Sequence, residues 1–136
     1  MIEFQPLDPT NQIPTCDLHE RMGIEVISWS AEHTVMTMPI SPNVQPYGLL
    51  HGGAILLLAE AGASLAANAH AHKLNCVAVG TNVSGSHLKS ARGDFVTASC
   101  QAVHLGRTSA TYDVRVTDQE ERLVSIVQVT CRLLAQ

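Results

Sequence analysis

One acid stands inside the most apolar stretch of the chain. Between Ala54 and Ala69 nearly every residue is small or apolar, yet position 60 is Glu60, with Ser64 four residues on. On a helix those two side chains share a face. Burial alone costs a carboxylate free energy, so it is either paired with an arginine or a backbone donor, or kept as an acid, base or nucleophile. The start of the stretch is unusual too. His51-Gly52-Gly53 places two glycines where a helix would begin, leaving backbone N–H groups unshielded at the positive end of the dipole. Such a terminus suits an anion or a developing oxyanion. Gln45 and His51 are polar loop residues that could equally brace the turn. One end of this helix thus offers donors, and its middle offers an acid.

The elements that carry these residues can be read in order. The first residues, up to Pro14, hold three prolines and little periodicity, which predicts an extended lead-in. Asp17-Leu18-His19-Glu20 has the D-x-x-E form of a helix start, and Gly23 can close that short helix. Ile24 to Ser30 and His33 to Ile40, joined by Ala31-Glu32, read as a hairpin. Ser41 to Gly48 is a loop with Pro42 and Pro46, and the apolar helix then runs to about His70, buried all round. Strand-like segments follow at about Cys76–Lys89, Phe95–Leu105, Ser109–Thr117 and Arg122–Leu134, with turn-like connections. Consecutive strands with short turns favour an antiparallel sheet, which must wrap the single apolar helix. The class is α+β in one domain, residues 1–136.

Composition narrows the functions. The 136 residues are 46% apolar and only 15% charged, with a net charge of −4. So little charge implies surface hidden in subunit contacts, and the acidic balance argues against a nucleic-acid binder. No uninterrupted apolar run reaches the ~18 residues of a membrane span, and Met1-Ile2-Glu3-Phe4-Gln5-Pro6 lacks a signal peptide's pattern. No membrane role is expected. Cys16, Cys76, Cys100 and Cys131 have no C-x-x-C spacing and read as reduced, buried thiols of a cytoplasmic protein.

Other motifs fall away. Gly62-Ala63-Ser64 lacks the strand–turn–helix setting of a nucleophile elbow. Gly48, Gly52 and Gly53 lack the lysine of a phosphate loop. His70 and His72 would not share a helical face, and as helix C-terminal residues they suit the dipole better than a metal. No metal or cofactor is expected.

The segment Gln45-x5-His51-Gly52-Gly53-x6-Glu60-x3-Ser64 resembles the catalytic segment of the hotdog-fold acyl-CoA thioesterases. The branch it resembles holds the hydroxybenzoyl-CoA and dihydroxynaphthoyl-CoA thioesterases and an enterobactin-pathway proofreading thioesterase. Pro46-Tyr47-Gly48-Leu49-Leu50-His51-Gly52-Gly53-Ala54 is nearly that branch's own string, with Tyr47 in place of the commoner Phe. Val79-Gly80, His87-x-x-Ser90-Ala91, His104-Leu105-Gly106-Arg107 and Arg122-Leu123 also fit. The likeness spans about Gly23 to Leu134.

The resemblance implies a hotdog fold, paired into dimers or a dimer of dimers with two sites per dimer interface. It implies that Glu60 is nucleophile or general base, that the Gly52 N–H polarises the thioester carbonyl, and that Gln45 and His51 place the acyl group or water. Ser64 would orient Glu60 or the water. Gly80, the segment His87, Leu88, Lys89 and Ser90, and the segment His104, Leu105, Gly106, Arg107, Thr108 and Ser109 correspond to positions that hold substrate and CoA. The substrate would be an aryl or medium-chain acyl-CoA, or an acyl-carrier-protein thioester. A hotdog dehydratase and a non-catalytic acyl-CoA-binding module are the rivals.

Geometry adds one constraint. Both catalytic groups must lie within about 3 Å of one carbonyl. Gly52 and Glu60 are about 12 Å apart along a helix and point about 80° apart around it. Two antiparallel copies can meet the requirement where one cannot, so the site should be shared between protomers.

Overall fold

The computed structural model describes residues 7, 8, 10 and 12–136. The lead-in expected up to Pro14 therefore lies partly outside the described residues, as does the whole of Met1 to Pro6. The order is α1 (Asp17–Met22), β1 (Glu25–Ser28), β2 (His33–Pro39), α2 (Gly52–His72), β3 (Cys76–His87), β4 (Phe95–Leu105), β5 (Ser109–Asp118) and β6 (Leu123–Ala135). The six strands form one antiparallel sheet in the order β1-β2-β4-β5-β6-β3. Each expected helix and strand is present, with ends moved by a few residues.

Alternation builds the sheet's inner face. On β5 Ala110, Tyr112, Val114 and Val116 are buried, while Asp113 and Arg115 between them are exposed, the period-two pattern of a strand with one covered face. α2 packs on that inner face against β2 through β6. Its small residues permit the close approach: Ala59, Ala63, Ala66, Ala67 and Ala71 are fully buried. At the centre of the core, the buried Tyr112 donates its hydroxyl to the Ala31 carbonyl at 2.6 Å, so its one polar atom is satisfied.

Several expectations need correction. α2 is not buried all round: Leu57, Glu60 and Ser64, at helical spacing, are half-buried along one stripe. The sheet covers only part of a helix's circumference, and this stripe lies at the margin of that cover, with Glu60 against Gly80 of edge strand β3 and Ser64 near Cys131 of β6. α2 also has the length and composition of a membrane span. Glu60, Ser64 and Asn68 interrupt it, so no unbroken apolar run reaches that length, and it is the core helix. At α1 the N-cap is Cys16, without a side-chain cap, and Asp17 is the first helical residue. The D-x-x-E pattern therefore marks the first turn rather than a capping box. Gly23 closes α1 at φ 72° as expected, a conformation that favours glycine. Cys16 is exposed and Cys76 half-buried, so only Cys100 and Cys131 are buried thiols. Burial pushes the Cys100 thiol up to about 12.

α2 and β3 run antiparallel to each other, and four contacts track the seam. The Asn68 amide bonds to both backbone groups of Ala78, at 3.0 and 2.9 Å. Glu60 lies against Gly80, Leu56 against Gly85, and Gly52 against His87. This seam positions the site.

Candidate active site

At the helix start, His51 is the N-cap of α2, and its Nδ1 accepts the Gly53 N–H at 2.9 Å. The Ala54 and Ile55 N–H groups bond to the His51 carbonyl. The Gly52 N–H has no partner among the described residues, and its residue is half-exposed. A donor at the positive end of a 21-residue helix is thus left aimed outward for a ligand. A side chain at this position would have to displace His87. A methyl on Gly52 would come within 2.6 Å of His87 Nε2.

The preceding loop is braced by its own polar groups. Gln45 accepts the Tyr47 N–H through its side-chain oxygen, and its backbone bonds to Leu49 and Gly48. That leaves the Gln45 amide NH2 as its remaining donor.

Two turns along α2, the Glu60 carboxylate has no hydrogen-bond or ion-pair partner among the described residues. A Cβ on Gly80 would come within 2.5 Å of its Oε1, so glycine at that strand position makes the room. Glu60, Ala61, Ser64 and Leu65 line a cavity of 360 Å³ with Leu7, Leu18, His19, Leu57 and Asn68. The Ser64 hydroxyl lies 3.9 Å from the Cys131 thiol, a neighbour on β6 that sequence reasoning missed. Cys131 sits opposite Gly80 in the sheet register. Burial raises its thiol pKa, opposed by the Ser64 hydrogen bond and reinforced by the charge of Glu60.

The remaining predicted residues divide between the two ends of α2. His87, the last residue of β3, is continuous with Leu88, Lys89 and Ser90 beside the helix start. The Arg122 guanidinium pins this segment by donating to the Ser90 carbonyl at 2.9 Å while its Nε donates to Asp118 at 2.9 Å. Burial alone would raise the Asp118 carboxyl. The N–H groups of Arg92 and Arg122 and the Arg122 guanidinium outweigh it and hold the pKa at about 2. His104 and Leu105 end β4, Gly106, Arg107 and Thr108 connect it to β5, and Ser109 opens β5; this segment lies at the far end of α2, where His70 Nε2 is 2.7 Å from the Gly106 carbonyl. Thr108 and Ser109 line a second cavity with Thr81, Thr130, Cys131 and Arg132. Lys89 and Arg107 are exposed at the two ends, and neither has an ion pair among the described residues. His70 and His72 do not converge: His72 lies 3.8 Å from Asp8. Among the described residues no three His, Cys, Asp or Glu side chains are grouped to hold a metal.

The chain therefore brings its predicted residues together as two separate clusters, each a candidate half-site. One holds the Gly52 N–H, His51, Gln45 and the His87–Ser90 segment. The other holds Glu60, Ser64, Gly80 and, beside Cys131, the Thr108–Ser109 end of the β4–β5 connection.

The sequence and the fold, a helix wrapped by an antiparallel sheet, also match proteins already described. Residues 47–125 match the model of the thioesterase superfamily. The chain belongs to that superfamily. A 1,4-dihydroxy-2-naphthoyl-CoA hydrolase of Listeria monocytogenes is 33% identical over 114 residues, covering 83% of this chain and 92% of that protein. The structure of a mutant thioesterase from Pseudomonas aeruginosa superposes with a TM-score of 0.82 at 32% identity, covering 88% of this chain and 86% of the other. A hypothetical thioesterase protein from Streptococcus pneumoniae, solved with coenzyme A, gives a TM-score of 0.73 at 28% identity over 83% of this chain and 87% of that one. The fold of this member of the thioesterase superfamily is the hotdog, and its reaction class is thioester hydrolysis.

Proposed function

We propose that the protein hydrolyses an acyl-CoA thioester to a carboxylic acid and CoA, at a site built from two copies of the chain. The observation that carries this is the pair of unpartnered groups on α2: the Gly52 N–H at its first residue and the Glu60 carboxylate eight residues later. About 12 Å of helix axis separates them. In an antiparallel pair of chains, the Gly52 half-site of one protomer faces the Glu60 half-site of its partner. The carbonyl oxygen takes the Gly52 N–H, and Glu60 attacks the carbonyl carbon or takes a proton from the attacking water. The carbonyl π electrons pass to oxygen as the oxyanion forms, and on collapse the C–S bond breaks and CoA leaves as thiolate. In the general-base route that thiolate takes the proton held by Glu60; in the nucleophile route the acyl group stays on Glu60 as a mixed anhydride, which water hydrolyses to the acid and the free carboxylate.

Other features support pairing. β3 is a 12-residue edge strand with one side unpaired, and long open edges call for a partner. Lys89 and Arg107, on segments near the two ends of α2, come to the same shared site in such a pair and can hold CoA phosphates from its two sides. Gln45, His51 and Ser64 place the acyl group and water, and the four leucines lining the Glu60 cavity suit an aryl or medium-chain acyl group. The Listeria relative's aryl-CoA substrate supports the aryl choice. No metal or cofactor takes part. Cys16, Cys76, Cys100 and Cys131 form no disulfide, which supports a cytoplasmic setting.

The test is thiol release from a panel of aryl-CoA, alkyl-CoA and acyl-carrier-protein thioesters, with size-exclusion chromatography of the same sample. Turnover of a CoA thioester by a dimer or larger assembly is expected. A panel with no hydrolysis above the buffer rate, or activity in a monomer, would refute the proposal.

A further inference from the structure

His87 closes the oxyanion half-site from the strand side. It stands directly opposite Ser125 in the β3–β6 register, so both side chains project from the same face of the sheet. Its Nδ1 lies 2.8 Å from Ser125 Oγ. Ser125 is fully buried, and His87 Nδ1 is its hydroxyl's only side-chain or backbone partner among the described residues. A buried hydroxyl with one partner spends its proton on it, since accepting instead would leave that proton orphaned. Nδ1 is then the acceptor, and in the neutral ring the proton sits on Nε2.

Nε2 lies 2.6 Å from where a Gly52 Cβ would stand. In any residue that position is about 2.5 Å from the backbone nitrogen, as fixed by standard bond lengths and angles. The two donors are therefore at most about 5 Å apart, close enough for one oxygen to sit about 2.9 Å from each. Nε2 also lies on the side to which the Gly52 N–H is directed. At a helix start the N–H points out along the axis, and the Cα–Cβ direction tilts the same way. His87 is exposed to solvent, leaving a substrate room to approach.

We infer that His87 Nε2–H is a second oxyanion donor, acting with the Gly52 N–H on the thioester carbonyl oxygen, and that Ser125 is the positioning residue that fixes its tautomer. This rests on the hydrolase reading above and goes beyond substrate holding by the His87–Ser90 segment. The donor forms no covalent bond and transfers no proton. It strengthens its hydrogen bond as charge develops on the oxygen, so it lowers the barrier rather than the ground-state energy.

The experiment compares an acyl-CoA with the same acyl group on N-acetylcysteamine, a thioester without the nucleotide. Removing one oxyanion donor costs on the order of 10²-fold in kcat. His87→Leu, of similar bulk, should show that loss on both thioesters with KM changed by less than about threefold. His87→Gln keeps an N–H near the same reach and should recover most of the lost kcat. Ser125→Ala leaves the ring in place and releases its tautomer. It should lower kcat severalfold on both substrates with unchanged KM, and it decides the question alone if His87→Leu does not fold. A loss confined to KM, or one seen only with the CoA substrate, would make His87 a nucleotide contact and overturn the inference. So would kcat within about threefold of wild type in the folded His87→Leu variant, or an unchanged kcat in Ser125→Ala. The hydrolase reading is judged separately by wild-type turnover and by Glu60→Gln, so a passive His87 in an active, Glu60-dependent enzyme refutes the donor alone. A wild type that hydrolyses neither thioester would refute both.

Discussion

The Glu60 carboxylate occupies the space that a side chain on Gly80 would fill. Oε1 lies within 2.5 Å of the position of a Gly80 Cβ, so the strand's missing methyl and the helix's lone acid are a matched pair. Gly80→Ala should push the carboxylate aside by rotating a flexible side chain, at little cost in stability. A kcat loss of about tenfold or more with a thermal midpoint close to wild type is expected, since small misplacements of a reacting group are costly. Glu60→Gln, which breaks no hydrogen bond among the described residues, should lose at least ~10²-fold while remaining folded. Wild-type kcat in Gly80→Ala would show that the carboxylate's placement does not matter.

Arg107 offers a test of the CoA half of the site. It is exposed on the β4–β5 connection, and its backbone neighbour Gly106 is held by His70. Arg107→Ala should therefore leave the loop in place and remove only the proposed phosphate contact. KM for an acyl-CoA should rise severalfold while kcat holds, and the effect should vanish with an N-acetylcysteamine thioester. Equal losses on both substrates would assign Arg107 to the loop's structure.

Asp118 gives the fold a defined acid limit. Its folded pKa is depressed from the ordinary 3.8 to about 2, so its contribution is present above about pH 4 and is lost as pH falls through about 2. Asp118→Asn lacks that titration. The stability gap between wild type and Asp118→Asn, measured by urea melts, should be constant from neutrality to about pH 4 and narrow below it. A gap that stays at full size down to about pH 2 would mean that the carboxylate's charge is not what Arg122 and the backbone donors hold. Because Arg122 also pins Ser90, the same substitution should weaken substrate binding at neutral pH.

What the sequence makes legible is whatever depends on local contrast. Glu60 stands out against alanines and leucines, His51-Gly52-Gly53 against the loop before it, and the strands by alternation and turns. Relations across the sheet are not legible. That Ser125 faces His87 follows from the β3–β6 register, set 38 residues apart in the chain, and Cys131 meets Ser64 across 67. Periodicity also cannot show that one stripe of α2 stays open, because an apolar helix looks the same on every face. The division of Gln45, Gly52 and His87 from Glu60, Gly80 and Ser109 into two half-sites is visible in the sequence only as a distance along one helix. Its other half comes from β3, which runs back along the helix and keeps the two groups apart.

The shared site is the central claim, and a mixing experiment tests it most directly. Glu60→Ala removes the acid from one half-site. Gly52→Pro removes the N–H at the first helical position, where proline is tolerated, and its ring also displaces His87 from the other half-site. Each variant alone should be nearly inactive and, by size-exclusion chromatography, still paired. After equal amounts are unfolded and refolded together, about half the dimers are mixed by random pairing of a two-fold assembly. If each site takes Glu60 from one chain and Gly52 from the other, every mixed dimer has one intact site. Activity should then return to about a quarter of wild type by that count. If Glu60 and Gly52 of the same chain act together, no mixed dimer holds a whole site, and mixing two paired, inactive variants would restore nothing.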